Sequence, residues 1–260
     1  MQNLTISLIQ TELHWQQPAL NRAMLAEKMA PLAGKTDLVI LPEMFSSGFS
    51  MAPEQVAEPA DGPSLQWLQQ QAEQLQAAIT GSLAIETEAG YVNRLFFVSP
   101  TGDVQHYDKC HLFRMGDEHS HYQSGQVRQL FHYRGWRILP LICYDLRFPV
   151  FSRNQNDYDL LICVANWPAP RRHPWRTLLQ ARAIENLCYV AGVNRVGTDG
   201  NGLAYSGDSM LVDFKGEPQL DAEAGQSFVA SQTLSLDGLQ QFREAFPAHL
   251  DADPFSLNSR

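Results

Sequence analysis

The run W-R-I-L-P-L-I-C-Y-D-L-R-F-P, Trp136 to Pro149, decides how the chain folds. Ile138 to Ile142 is apolar and partly β-branched, the pattern of a strand buried on both faces. It stops at Cys143-Tyr144-Asp145, and Pro149 restarts the chain as a helix. A buried strand that passes through a turn into a helix belongs to an α/β sheet, whose reactive groups gather at strand carboxyl ends. A tight turn there would lift the Cys143 sulfur into a cleft, as a nucleophile elbow does. The competing reading is a small apolar core residue. The rest of the chain has to decide between them.

Working outward, strands are expected at Leu4–Ile9, Asp37–Leu41, Ala78–Ile85, Val92–Val98 and Val104–Tyr107, then at Tyr158–Val164, Tyr189–Val193, Ser209–Phe214 and Phe228–Leu236. Helices are expected at Asn21–Ala30, Ser64–Gln76, Pro174–Asn186 and Leu239–Ala245, where apolar residues recur at helical spacing. Gly48 to Asp61 reads as an ordered surface excursion, and Phe246 to Arg260 as an irregular tail. Alternating strands and helices with no linker predict one layered α/β domain over residues 1–260.

Composition narrows the function. The chain has 260 residues, 44% hydrophobic and 18% charged, which suits a globular protein with a sizeable core. A formal net charge of -9 argues against sequence-independent nucleic-acid binding. Met1-Gln2-Asn3-Leu4 lacks the basic start of a secretory signal, and no apolar run reaches membrane-helix length. The four cysteines, Cys110, Cys143, Cys163 and Cys188, are widely spaced with no C-x-x-C pair. That pattern predicts a reduced, cytoplasmic protein without a disulfide scaffold.

Two further strand ends carry chemistry. Asp37 to Leu41 runs into Pro42-Glu43, and carboxylates are seldom buried without a partner. Val104 to Tyr107 runs into Lys109, framed by Tyr107, Leu112 and Phe113, where an ammonium can lose its hydration and become functional. The plainer readings are a surface glutamate and an exposed lysine. The polar loop Gly116 to Gly125 holds Asp117, Glu118, His119 and His121, but without the helical spacing of a zinc site. No metal and no cofactor is expected.

If the three strand ends share one side of the sheet, a carboxylate, an ammonium and a thiol meet. A thiol is mostly protonated near neutral pH and needs a base or a neighbouring cation. Glu43 could take the proton and return it to a leaving amine. Lys109 could stabilise the oxyanion, with the backbone N–H of Tyr144 as a second donor.

This arrangement resembles the nitrilase superfamily of carbon–nitrogen hydrolases. The resemblance rests on Leu41-Pro42-Glu43, on Tyr107 to Phe113, on Ile142 to Pro149, on Asn166-Trp167-Pro168 and on Ala181 to Asn186. It implies a four-layer α-β-β-α sandwich, a homodimer or larger homo-oligomer, and a triad of Glu43, Lys109 and Cys143. It also implies a second glutamate between lysine and cysteine, a place Glu118 occupies. Asp108 departs from the family pattern, and strand alternation predicts that it points away from Lys109.

Within the superfamily the chain looks most like the ω-amidase branch, which hydrolyses the terminal amide of 2-oxo acid monoamides such as 2-oxoglutaramate. The C-Y-D-L-R-F-P and N-W-P-A-P-R runs carry that likeness. Arg147 would hold a substrate carboxylate, unless it forms a structural ion pair. Trp167 and Phe45 are candidate pocket walls, and Arg182 and Glu185 read as a structural pair. The alternatives are a nitrile, N-carbamoyl amino acid or deaminated-glutathione hydrolase, a catalytically silent interaction module, or a cysteine–histidine hydrolase using His111 or His121.

Overall fold

Residues 3–257 are described by the computed structural model, so Met1-Gln2 at the chain start and 258–260 of the expected tail lie outside the described residues. Apolar runs and alternating segments sort into two sheets. Across the first, the strands are Phe228–Leu234, Leu4–Gln10, Leu38–Ile40, Ala78–Thr87, Gly90–Val98 and Val104–Asp108, with Glu58–Pro59 paired at one end of Ala78–Thr87. Across the second they are Pro218–Asp221, Met210–Val212, Tyr189–Asn194, Leu160–Ala165, Trp136–Ile142 and Phe131–Tyr133.

Each sheet has a parallel centre flanked by antiparallel strands. Leu4–Gln10, Leu38–Ile40 and Ala78–Thr87 run parallel in the first. Trp136–Ile142, Leu160–Ala165 and Tyr189–Asn194 do so in the second. Parallel centres are buried on both faces, which is why these segments are continuous apolar runs.

The sheets pack face to face through Leu4, Ile6, Leu8, Phe97 and Ile138, among others. Helices Pro18–Met29 and Pro63–Leu75 cover the outer face of the first sheet with Leu25, Met29, Leu68 and Ala72. Helix Arg172–Asn186 covers the second with Trp175, Leu179 and Ala183, and helix Leu236–Ala245 adds Leu239. Full burial of each leucine or methionine among them contributes about 1.5–3 kcal/mol relative to exposure. The result is the four-layer α-β-β-α sandwich.

Some boundaries differ from expectation. The strand expected at Ser209–Phe214 is only Met210–Val212, because the chain turns at Asp213 to Gly216. Gly48 to Asp61 is a surface excursion only in part, since Gly48 and Ser50 are buried and Pro53–Val56 is helical. After Cys143 the chain makes a 3-10 turn, Cys143–Arg147, before the four-residue helix Pro149–Ser152. Short strands such as Phe131–Tyr133 and the hairpin Val196–Thr198 with Ala204–Ser206 offer too few residues to show a period. Beyond Phe246 the described tail has one 3-10 turn, Ala248–Asp251.

Candidate active site

Glu43 follows the strand Leu38–Ile40 and is fully buried. The next residue, Met44, has φ of 44°, and its N–H donates to Ser82 Oγ at 2.9 Å. That left-handed residue reverses the chain and holds Glu43 against the opposite sheet. Its Oε1 accepts from Lys109 Nζ at 2.9 Å and from Asn93 Nδ2 at 2.8 Å. Its Oε2 accepts from the Asn166 N–H at 2.7 Å, and its backbone oxygen accepts from Asn166 Nδ2 at 2.6 Å.

Lys109 leaves the strand Val104–Asp108 with its N–H donated to the Asn93 carbonyl at 2.9 Å. Its ammonium is fully buried, 2.9 Å from both Glu43 Oε1 and Glu118 Oε1, and lies 5.0 Å over the Phe49 ring. The loop Gly116 to Gly125 is therefore not simply polar and solvated. Asp117 takes φ of 58° and a short helix, Glu118–His121, turns Glu118 fully inward, where its Oε2 accepts from the Phe113 N–H at 2.6 Å. Asp108 pairs with Arg94 at 2.6 Å, clear of this cluster, as alternation requires.

Cys143 takes φ of 47°, the strained left-handed corner expected of a nucleophile elbow. The corner is anchored by Asp145, whose carboxylate accepts from the Ile142 N–H at 3.0 Å, the His111 N–H at 2.9 Å and Tyr107 Oη at 2.8 Å. One buried carboxylate thus ties the cysteine turn to the lysine segment. The Cys143 sulfur lies 3.9 Å from the Asn166 carbonyl.

Burial works against the Lys109 charge, but the Glu118 and Glu43 carboxylates outweigh it and hold the ammonium well above the ordinary lysine value. Burial raises the Glu118 carboxyl against the pull of Lys109, and the Glu43 charge adds to the rise. The Cys143 thiol is pushed well up by burial and then by Glu43, and Lys109 does not cancel this. One ammonium between two carboxylates leaves no surplus positive charge to hold a free thiolate. Burial and Glu43 therefore favour the thiol form of the resting sulfur.

Cys143 and Lys109 open on a largely apolar cavity of about 180 Å³. Tyr144, Arg147 and Trp167 line it, and the Arg147 guanidinium lies 5.1 Å over the Trp167 ring. Among the described residues Arg147 forms no ion pair, so its structural alternative has no carboxylate to rest on. Phe45 is not in the wall: the Met44 reversal sends it back into the core, fully buried, 5.7 Å from Trp67. Phe49 and Phe113 take that place. Sequence reasoning also missed the hairpin Val196 to Ser206, which brings Asp199, Leu203 and Tyr205 to the cavity. The signal was there, in Gly197, Gly200 and Gly202 within ten residues of Asn194.

Arg182 pairs with Glu185 at 2.7 Å and donates to the Leu146 carbonyl, so that pair is structural. His111 sits 2.6 Å from Asp145 and stacks on Phe148, whereas His121 points outward beside Asp117. Among the described residues no three His, Cys, Asp or Glu side chains gather as a metal cluster, and no helix is long and apolar enough to cross a membrane.

Residues 5–244 match the family model for carbon-nitrogen hydrolases. The chain belongs to that family. Among carbon–nitrogen hydrolases it is 50% identical to the omega-amidase YafV of Escherichia coli K12, over 99% of this chain and all of the relative. It is 30% identical to the 2-oxoglutaramate amidase of Bacillus subtilis, over 95% of this chain and 96% of that one. A crystal structure of a CN-hydrolase superfamily protein from Xanthomonas campestris, with an arsenic adduct in its active site, superposes with a TM-score of 0.97 at 51% identity. That likeness covers 99% of this chain and all of the other.

Proposed function

We propose that the chain is a cysteine-nucleophile amidohydrolase that releases ammonia from small carboxylate-bearing amides, 2-oxo acid monoamides such as 2-oxoglutaramate foremost. The observation that carries this is the buried cluster of Glu43, Lys109 and Glu118, whose Lys109 lines the same cavity as Cys143. Relatives named as omega-amidase and 2-oxoglutaramate amidase support the substrate class.

In the first half-reaction Cys143 Sγ attacks the amide carbon as Glu43 takes the thiol proton. The carbonyl electron pair moves onto oxygen. A lysine ammonium has three donors, and Lys109 gives two to carboxylates, leaving the third for that oxyanion beside the Tyr144 N–H. Collapse breaks the C–N bond, Glu43 returns its proton to the nitrogen, and ammonia leaves a thioester. Water, deprotonated by Glu43, then attacks the thioester and restores the thiol. Glu118 keeps the Lys109 ammonium aimed.

Arg147, resting on Trp167, holds the substrate carboxylate at the far end, where the guanidinium fork suits it. The enzyme works as one domain and as a homodimer or larger homo-oligomer. A reduced, cytoplasmic setting suits its widely spaced cysteines. The test is ammonia release from a panel of 2-oxo acid amides, N-carbamoyl amino acids and nitriles, with Cys143→Ala as control. Highest kcat/KM on the 2-oxo acid amides, lost in Cys143→Ala, is the expected result. A preference for nitriles or carbamoyl compounds would overturn the substrate class, and activity retained in Cys143→Ala would overturn the nucleophile.

A further inference from the structure

We infer that Asn93 is a positioning residue that decides which oxygen of Glu43 carries the proton, an assignment that rests on the proposed base role of Glu43. Asn93 lies in the strand Gly90–Val98, beside the segment that ends in Lys109, and is fully buried. Its carbonyl accepts the Lys109 N–H at 2.9 Å, and its Nδ2 donates to Glu43 Oε1 at 2.8 Å. One residue therefore holds the backbone of the lysine and the carboxylate of the base.

The orientation of the Asn93 amide follows from its partner, because a carboxylate oxygen that also receives an ammonium is an acceptor. Its own Oδ1 is buried with no hydrogen-bond partner among the described residues. A buried unpaired carbonyl is costly, and a leucine of the same branched shape would avoid it. What a leucine lacks is the N–H aimed at Glu43. The amide is thus accounted for by its donor side.

The lone pairs of Glu43 complete the assignment. A carboxylate offers about two acceptor sites on each oxygen. Oε1 has both filled, by Lys109 and Asn93. Oε2 has one filled, by the N–H of Asn166, the residue whose carbonyl faces the Cys143 sulfur. The open site is on Oε2. In the first step the S–H bond breaks and its proton lands on Oε2 as the S–C bond forms. In the second, that O–H bond breaks and the proton joins the leaving nitrogen. Without Asn93, Oε1 regains an open lone pair and the carboxylate can rotate or bind the proton on the wrong side.

The test compares the parent, Asn93→Ala and Asn93→Asp across a pH series, on whichever amide the parent hydrolyses best. Losing a hydrogen bond to a charged group should lower kcat roughly ten- to a hundredfold in Asn93→Ala, with KM nearly unchanged. The acid limb of kcat/KM should move to higher pH, since a carboxylate short of one donor ionises less readily. Asn93→Asp fills the same space and sets a third carboxylate against the cluster, so its limb should move further and its neutral-pH turnover fall more.

Parent-like kcat in Asn93→Ala, or a loss of kcat with the acid limb unmoved, would overturn the assignment. If Asn93→Ala does not fold, Asn93→Asp decides alone: parent-like kcat or limb position overturns it. Glu43→Gln separates this outcome from the reading beneath it. If that variant turns over at the parent rate, the base role of Glu43 has failed rather than the role of Asn93.

Discussion

Asn166 grips Glu43 at two points, donating its backbone N–H to the carboxylate at 2.7 Å and its side-chain amide to the Glu43 backbone oxygen at 2.6 Å. Asn166 follows the strand Leu160–Ala165 of one sheet, and Glu43 follows Leu38–Ile40 of the other. The two sheets are thus latched at the proposed catalytic site. Asn166→Ala keeps the N–H and removes the second contact. It should cost about 0.5–1.5 kcal/mol of stability but lower kcat by roughly tenfold or more, because the proposed base loses its setting. Thermal melting and turnover measured together check this; turnover that falls no further than stability would refute it.

Thiol chemistry offers a second check. Since burial and Glu43 push the Cys143 thiol well up, its thiolate fraction is small at neutral pH. Alkylation by iodoacetamide in the absence of substrate should be slow there. It should keep rising as pH passes the usual thiol value of about 8.5. Hydrolysis should not follow that curve, because in the proposed mechanism Glu43 removes the proton within the reaction. A hydrolysis rate that tracks alkylation across pH would mean that a preformed thiolate is the nucleophile.

Arg147→Ala bears on substrate choice. On an ω-amido acid it should lower kcat/KM roughly ten- to a hundredfold, and on a neutral amide of equal length it should change little. Equal losses on both would mean that Arg147 supports the Cys143 turn instead. Losses on neither would leave the carboxylate to Arg171, which lines the same cavity over the Phe113 ring.

Phe45 and Phe49 should behave as opposites. Phe45→Ala empties a packed core site and should cost about 3–5 kcal/mol of stability while leaving relative substrate preference intact in the folded fraction. Phe49→Ala should melt near the parent temperature yet alter KM and kcat, since that ring lines the cavity and lies under the Lys109 ammonium. Denaturant unfolding and a two-substrate assay distinguish them; exchanged phenotypes would contradict the placement.

Residues at strand ends were the legible part of the site. Glu43, Lys109 and Cys143 each follow an apolar or alternating run, so their exit from the sheet is written locally. Glu118 was reached through family resemblance, since a glutamate among histidines in a polar loop carries no local mark of burial. Asn93 was not reached at all: its partner Glu43 is 50 positions away, and an asparagine inside an alternating strand looks like any outward polar residue. Phe45 was misplaced because nothing in L-P-E-M-F announces that Met44 turns left-handed.

The latch between Asn166 and Glu43 also makes turnover a clock for folding. Neither sheet alone holds the proposed nucleophile together with its proposed base, because Cys143 follows a strand of one and Glu43 and Lys109 follow strands of the other. A refolding chain that has regained its strands and helices but not their face-to-face docking has nothing to catalyse with. Recovered activity therefore marks the arrival of the final assembly, later than any signal that reports only on secondary structure.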